Sequence, residues 1–166
     1  MDTRRNVALL IYDHLKFLNL EPFLDCKNLN PGDKLIENLD KAVLQSKVGI
    51  AVFSPNYCES YYCRRELSLM IESKKRVIPI YCDITPHDLE FKDWRSYSPN
   101  EHEMFNRALE EAKDRVGITF DTSTGIWSDF LAKVSGAVKS NLFEVVEEEN
   151  NLEKEFKLLK GNVQLP

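Results

Sequence analysis

Polar side chains follow the predicted strands, and these are the first residues to consider for chemistry. Asp25, Ser54, Asp83 and Asp121 stand at or directly after the ends of four apolar segments that are predicted as strands. In an open parallel sheet, ligands bind outside the carboxyl ends of the strands. Short polar residues also end strands and begin turns in most proteins, so each of the four has a purely structural explanation as well.

The segment Ser54–Leu67 joins a buried strand to a helix and therefore lies at the rim of the predicted sheet. Glu66 is its one carboxylate placed within a helix directly after a strand end, and three tyrosines share the segment: Tyr57, Tyr61 and Tyr62. Cys63, Leu67 and Met70 mark the core-facing side of that helix, and Glu66 falls near this side. The alternative is an ordinary solvent-facing glutamate, the commoner environment for this residue type.

Several kinds of site lack their sequence signatures. The six glycines stand apart, so the sequence contains neither a G-x-x-x-x-G-K-[ST] nor a G-x-G-x-x-G phosphate-binding loop. The histidines at 14, 87 and 102 and the four cysteines have no zinc-ligand spacing, so no metal site is predicted. A phosphate-receiver domain needs an acidic pair after its first strand and a lysine after its last. Here Asp25 is alone, and Thr119-Phe120-Asp121 at the end of the last strand contains no lysine.

Composition narrows the class of protein further. The 166 residues suffice for one domain with a sizeable core. The net charge of −5 argues against a nucleic-acid partner, because such affinity rests largely on Lys and Arg neutralising phosphates. No apolar run approaches the length of a membrane span, and the amino terminus does not resemble a signal peptide. We therefore expect a cytoplasmic protein, with the nucleus also open to it, whose cysteines are reduced.

Hydrophobic periodicity predicts helices alternating with strands, and hence a parallel sheet with helices on both faces. The predicted strands are Glu21–Asp25, Val48–Phe53, Val77–Tyr81 and Gly117–Phe120. Pro79 predicts an edge position or a bulge for the third of these, because proline cannot donate to the ladder. The pattern begins with a helix, whereas wound α/β domains usually begin with a strand, so a first strand is expected to be absent from this chain.

Charge divides the chain near its carboxyl end. We expect one domain over residues 1–143 and a charged helical extension or tail over residues 144–166, since four of the six residues Glu144–Glu149 are Glu. The long polar loop Asp83–Asn100 contains Trp94, which is a candidate to gate a pocket because loops of that length are often functional.

The ordered set of motifs resembles the plant Toll/interleukin-1 receptor (TIR) domain, and most of all the short TIR-only proteins of grasses. The motifs, in the family's order and spacing, are Asp2-Thr3-Arg4, Asp25 with Leu29, Gly32, Asp33 and Leu35, Ser46 before VGIAVFSPNY, Ser60–Leu67, VIPIYCDITP and Val116–Asp121. The resemblance implies a flavodoxin-like α/β fold with five parallel strands. It also implies NAD+ nucleosidase activity in plant immune signalling, giving nicotinamide and ADP-ribose or cyclic variants, when the domains assemble.

The resemblance assigns roles to individual residues. Glu66 falls on the family's catalytic glutamate, and Ser54, Tyr62, Asp25 and Cys63 are expected to contact the substrate. Cys63 also matches a cysteine linked to a nucleotide-cyclising activity on nucleic acid, and its alternative role is a core thiol. NAD+ is the substrate, and neither a cofactor nor a metal is implied.

The resemblance also implies homo-oligomers built through contacts between TIR domains, and it leaves contacts with other TIR proteins open. The loop Cys26–Leu35, with Leu29, Gly32 and Asp33, would rearrange on assembly. The alternative function is a non-catalytic adaptor that only binds other TIR domains. A missing first strand favours that alternative, because buried unpaired backbone groups cost about 1–3 kcal/mol each.

Overall fold

Three parallel strands form the sheet in the computed structural model, which describes residues 3–91 and 98–161. β1 (Val48–Phe53) pairs with β2 (Arg76–Cys82) along its whole length, and β3 (Ile118–Phe120) pairs with the last residues of β2. The order is β1-β2-β3, so parallel neighbours are joined by helical crossovers, as the alternating sequence pattern predicts.

Six α-helices accompany these strands in the described ranges, and helices alternate with the three strands as apolar periodicity predicts. They are α1 (Thr3–Phe17), α2 (Asp25–Asn28), α3 (Leu35–Gln45), α4 (Tyr61–Glu72), α5 (Pro99–Lys113) and α6 (Trp127–Gly161). Single 3-10 turns lie at Tyr57–Glu59 and Pro86–Asp88. Trp94, the candidate gate, lies outside the described residues.

Both faces of the sheet are covered, which confirms the predicted layering. On one face, Phe53 of β1 and Tyr81 of β2 pack against Leu67 of α4 and Leu109 of α5. On the other face, α1 and α6 pack against the same two strands. Their buried side chains are Val7, Ile11 and Leu15 of α1 and Phe130, Val134 and Val138 of α6. Two apolar layers on a two-sided sheet account for the near-continuous apolar runs of β1 and β2.

The predicted edge position of Pro79 is wrong, because β2 is the central strand of this sheet. Pro79 is paired with Ala51 of β1, whereas β3 pairs with β2 only from Ile80 onward. Gly117 lies so close to Pro79 that an added Cβ would meet the Pro79 carbonyl oxygen at 2.8 Å. The proline is tolerated because the side of β2 that faces β3 carries no ladder until the next residue.

The predicted strand Glu21–Asp25 is also wrong. Residues 21–24 form no strand, and Asp25 begins α2 instead. Local hydrogen bonds satisfy this segment: the Leu24 amide donates to Asn28 Oδ1 at 2.8 Å and the Cys26 amide to Asp25 Oδ1 at 2.6 Å. A strand needs a hydrogen-bonded neighbour, and no strand in the described ranges pairs with the open edge of β1. The described sheet accordingly has three strands where the resemblance implies five.

The last helix continues past the predicted domain boundary as one uninterrupted element. Arg76, at the start of β2, pairs with Glu144 and with Glu148, and Lys47 pairs with Glu149 at 2.6 Å. These ion pairs hold the middle of α6 against the amino end of the sheet. Within residues 3–91 and 98–161, no helix is both long enough and apolar enough to cross a membrane.

Candidate functional site

Glu66 stands in the second turn of α4, at the rim where the chain leaves β1. The side chain of Ser60 caps this helix by accepting from the Cys63 amide at 3.4 Å, so α4 begins directly after the 3-10 turn. Leu67, the next residue, is completely buried. Glu66 itself is half-buried, so the prediction that it lies near the core-facing side is confirmed.

Tyr57 links the loop after β1 to the start of α4. Its hydroxyl donates to the carbonyl oxygen of Cys63 at 3.0 Å, and its ring packs edge-on against Phe53, with ring centroids 4.6 Å apart. Only 5% of Tyr57 is exposed. The Arg4 guanidinium carbon lies 5.8 Å from the centroid of the same ring, within the range of a cation–π contact.

The charges around Glu66 act in opposite directions. Burial raises the pKa of Glu66 from its ordinary value of 4.5 to about 7; the negative charge of Asp25 contributes to this rise, and the positive charge of Arg4 opposes it. The pKa of Tyr57 is also raised, chiefly by burial, so its phenol stays neutral. Glu66 is therefore a carboxylate whose proton is exchanged near neutral pH, as is common for functional groups in clefts.

Ser54 comes directly after β1 and is completely buried. Its carbonyl oxygen accepts from the Tyr57 amide at 3.0 Å, which starts the turn toward α4. Its hydroxyl has no hydrogen-bond partner in the described part of the chain. A buried hydroxyl without a partner costs free energy, so Ser54 has hydrogen-bonding capacity to offer to a ligand.

Asp25 is a second acidic residue near Glu66, and the predicted self-association loop follows it in the sequence. Asp25 is exposed at the first residue of α2, and its charge acts on Glu66 from a distant part of the sequence. In the predicted self-association loop, Leu29 is half-buried, and Asp33 Oδ2 accepts from the Asn30 amide at 2.8 Å. Gly32 has a φ of +99°, a conformation that favours glycine.

Tyr62 and Cys63 point in different directions from the first turn of α4. Tyr62 is 44% exposed and contacts the ring of Tyr61 edge-on, with centroids 5.6 Å apart. Cys63 is half-buried and packs against the apolar layer beneath α4, which agrees with the alternative of a core thiol. The charges of Asp25 and Arg4 act on Glu66, so the fold brings these three residues together. Ser54 begins the segment that leads from β1 to α4, and Tyr62 is exposed in the first turn of that helix.

Asp83 and Asp121, the other strand-end carboxylates, accept hydrogen bonds from the segment that follows β3. Asp83 accepts from the Thr122 amide at 2.8 Å and from the Thr122 hydroxyl at 2.6 Å. Hydrogen bonds from Ser123 and Thr124 lower the pKa of Asp121 to about 2. Asp83 thus links the end of β2 to the segment after β3, and turn chemistry explains Asp121. The described ranges contain no group of three or more His, Cys, Asp or Glu suited to a metal ion.

A cavity of about 190 Å³ lies between α4 and α5, and it is a separate feature. Its walls include Tyr61, Arg65 and Glu72 from α4 and His102 and Phe105 from α5, but neither Glu66 nor Ser54. Arg65 is held in place by Asp40, whose carboxylate oxygens accept from it at 3.0 and 2.6 Å. Glu66 therefore does not line this cavity.

Arg4 is the site residue to which sequence reasoning gave no role. It lies three residues before Val7 and seven before Ile11, both buried, so helical spacing places it on the inward side of α1. That spacing is the signal from which its inward position is predictable.

Comparison with known proteins decides the family. The family model for the TIR domain matches residues 2–117. This chain belongs to the TIR domain family. The membership predicted from the motifs is therefore confirmed, and the sheet with helices on both faces is the described part of a TIR fold.

Individual relatives place this TIR domain among plant proteins. It is 43% identical over 146 residues to the probable 2′ cyclic ADP-D-ribose synthase BdTIR of Brachypodium distachyon, covering 86% of this chain and 65% of that protein. It is 35% identical over 114 residues to the TMV resistance protein N of Nicotiana glutinosa, covering 66% of this chain and 9% of that protein. The chain thus spans just under two thirds of the first relative.

A solved structure supports the fold of this TIR domain. The TIR domains of the activated Roq1 resistosome, which recognises the pathogen effector XopQ, match with a TM-score of 0.70. The match covers 83% of this chain and 93% of that chain at 22% identity. At this identity the likeness shows the fold.

Proposed function

We propose that this TIR domain cleaves the nicotinamide–ribose bond of NAD+, with Glu66 as its catalytic residue. The observation that carries the proposal is the half-buried carboxylate of Glu66 in the second turn of α4, on which the charges of Asp25 and Arg4 act. The site is built on a chain that is 43% identical to a probable 2′ cyclic ADP-D-ribose synthase. The product is then ADP-ribose or a cyclic form of it.

The reaction suits a single carboxylate. The C1′–N bond breaks with its electron pair going to the pyridinium nitrogen, so nicotinamide leaves as a neutral molecule and needs no acid. Most glycoside hydrolases, by contrast, use two carboxyl groups, one of which protonates the leaving group. Ionised Glu66 stabilises the positive charge that develops on the ribose, and neither a metal nor a cofactor is required.

The second reactant decides the product. Water attacking C1′ and losing a proton gives ADP-ribose, whereas a hydroxyl of the same molecule doing so gives a cyclic product. Ser54 donates or accepts a hydrogen bond at the ribose, and Tyr62 packs its exposed ring against the ligand. Asp25, across from Glu66, completes the substrate contacts.

Assembly of TIR domains activates the enzyme in this proposal. The loop with Leu29, Gly32 and Asp33 lies beside Asp25, so a contact between domains at this loop acts directly on the site. A solved structure with the same fold is described as an activated resistosome, and a relative is a plant resistance protein. We infer a role in cytoplasmic plant immune signalling, with homo-oligomers as the active form.

The test is release of nicotinamide from NAD+ by the purified chain at several protein concentrations. Wild type and the Glu66→Gln and Glu72→Gln variants are compared, because Glu72 is an exposed glutamate at the end of the same helix. We expect release that rises more than linearly with protein concentration, is retained in Glu72→Gln and falls at least about 100-fold in Glu66→Gln. Equal release from wild type and Glu66→Gln contradicts the assignment.

The second candidate is a non-catalytic adaptor, and the open edge of β1 in the described sheet favours it. An adaptor self-associates equally well with and without Glu66 and releases no nicotinamide at any concentration. Sedimentation of the same three proteins, combined with the release assay, separates the two functions.

A further inference from the structure

Arg4 occupies an inward position on α1 beside the candidate site. The side chain is half-buried, and its Nη1 atom is shielded from solvent. The guanidinium carbon lies 5.8 Å from the centre of the Tyr57 ring, which is the ring that joins the loop after β1 to α4. Arg4 therefore contacts Tyr57, which is bonded to the helix that carries Glu66, although α1 and α4 lie on opposite faces of the sheet.

Three chain segments bring charge or polarity to Glu66. The charge of Asp25 acts on it from the start of α2 and that of Arg4 from the start of α1, while the neutral phenol of Tyr57 lies in the loop before α4 and interacts with it electrostatically. Burial and Asp25 both disfavour the ionised carboxylate, and the charge of Arg4 favours it.

We propose that Arg4 is a positioning residue for Glu66: its guanidinium, seated over the Tyr57 ring, holds α1 against the loop that supports α4 and brings a positive charge near the Glu66 carboxylate. The catalytic consequence rests on the function proposed above. The chemistry explains why arginine suits this place, since a delocalised guanidinium stacks on an aromatic face and keeps its charge when partly buried.

Two other roles for Arg4 predict different behaviour. A residue that only anchors α1 affects folding and leaves the titration of Glu66 unchanged. A residue that binds the diphosphate of the dinucleotide affects the KM for NAD+ and not the pH profile of the free chain. The position of the Glu66 titration separates these roles from the proposal.

The experiment compares wild type with the Arg4→Lys and Arg4→Met variants. The Glu66 carboxyl resonance is followed by NMR between pH 4 and 9 in protein with labelled glutamate, and the Glu66→Gln spectrum assigns it. We expect the titration midpoint to rise by about 0.5–1 pH unit in Arg4→Met and to stay near wild type in Arg4→Lys. The acid limb of the nicotinamide-release profile is expected to move by the same amount. Asp25→Asn, which removes the opposing charge, is expected to lower the midpoint.

An unchanged midpoint in a folded Arg4→Met variant overturns the proposal, as does an equal shift in Arg4→Lys. Thermal unfolding checks the fold, and Arg4→Gln replaces Arg4→Met if the latter does not fold. If neither neutral variant folds, the anchoring role replaces the proposal. If the wild-type chain releases no nicotinamide, the proposed function fails, while the NMR titration still decides the role of Arg4.

Discussion

The hydroxyl of Tyr57 donates a hydrogen bond to the carbonyl oxygen of Cys63 across 3.0 Å, and this contact ties the loop after β1 to the helix that carries Glu66. The bond is enclosed, since only 5% of Tyr57 is exposed. It fixes the first turn of α4 relative to the end of the strand. The direction of the Glu66 side chain therefore depends on a phenol nine residues earlier in the chain.

Removing that hydroxyl tests how much the link contributes. Tyr57→Phe keeps the ring packing and loses the hydrogen bond, so we expect the free energy of unfolding to fall by about 1 kcal/mol in urea denaturation. Tyr81→Phe is the matched control, because the Tyr81 hydroxyl is buried without a hydrogen-bond partner in the described ranges. Its removal is expected to be neutral or stabilising, and an equal loss in both variants argues against the link.

The raised pKa of Glu66 predicts that the ionised carboxylate, which the proposed reaction uses, destabilises the folded chain. Between its ordinary value of 4.5 and about 7, the unfolded chain ionises Glu66 while the folded chain keeps it protonated, so ionisation favours unfolding. Glu66→Gln is expected to be more stable than wild type by about 1–3 kcal/mol above pH 7 and equally stable below pH 4. Denaturation at pH 4 and pH 8 measures this, and the absence of any gain at pH 8 contradicts it.

The buried hydroxyl of Ser54 is also expected to lower the stability of the fold while it favours substrate binding. Its buried hydroxyl has no partner among the described residues, so Ser54→Ala is expected to raise the free energy of unfolding by about 1 kcal/mol. The same change is expected to raise the KM for NAD+ several-fold. Ser46→Ala serves as the control, because the Ser46 hydroxyl donates to the Val43 carbonyl at 2.7 Å and its loss is destabilising. A fall in the free energy of unfolding of Ser54→Ala would contradict the interpretation that the Ser54 hydroxyl is buried without a hydrogen-bond partner.

The ion pairs at the amino end of the sheet predict how the extension of α6 behaves. Arg76→Met removes the pairs with Glu144 and Glu148, which are partly exposed, so we expect a loss of only about 0.5–1 kcal/mol. Hydrogen exchange over residues 144–161 is expected to speed up in this variant and in wild type at high salt. Lys34→Met removes an exposed pair with Glu37 that does not involve α6, and it is the control. Unchanged exchange in Arg76→Met indicates that these pairs do not hold the extension.

Apolar periodicity and turn residues were sufficient to predict the long helices and the strands β1, β2 and β3. These features depend on local sequence. Apolar residues spaced three and four apart identify the face that a helix buries, and an unbroken apolar run identifies a strand buried on both faces. The position of Glu66 near the buried side of α4 follows from the same spacing, through Leu67 and Cys63. The family follows from the order of the motifs.

The tertiary structure decided what depends on neighbours distant in sequence. Residues 21–24 have the composition of a strand and form none, since no described strand offers them hydrogen bonds. Pro79 is tolerated in the central strand, because β3 begins its pairing with that strand only at the next residue.

The features of the candidate site also depend partly on local sequence and partly on the tertiary structure. The sequence by itself determined the family and the place of Glu66 on its helix. Only the tertiary structure brought Arg4 and Asp25 to that carboxylate, from about 60 and 40 residues away. Charge interactions depend on distance in space and on local burial, so the ionisation of Glu66 is set by the folded chain.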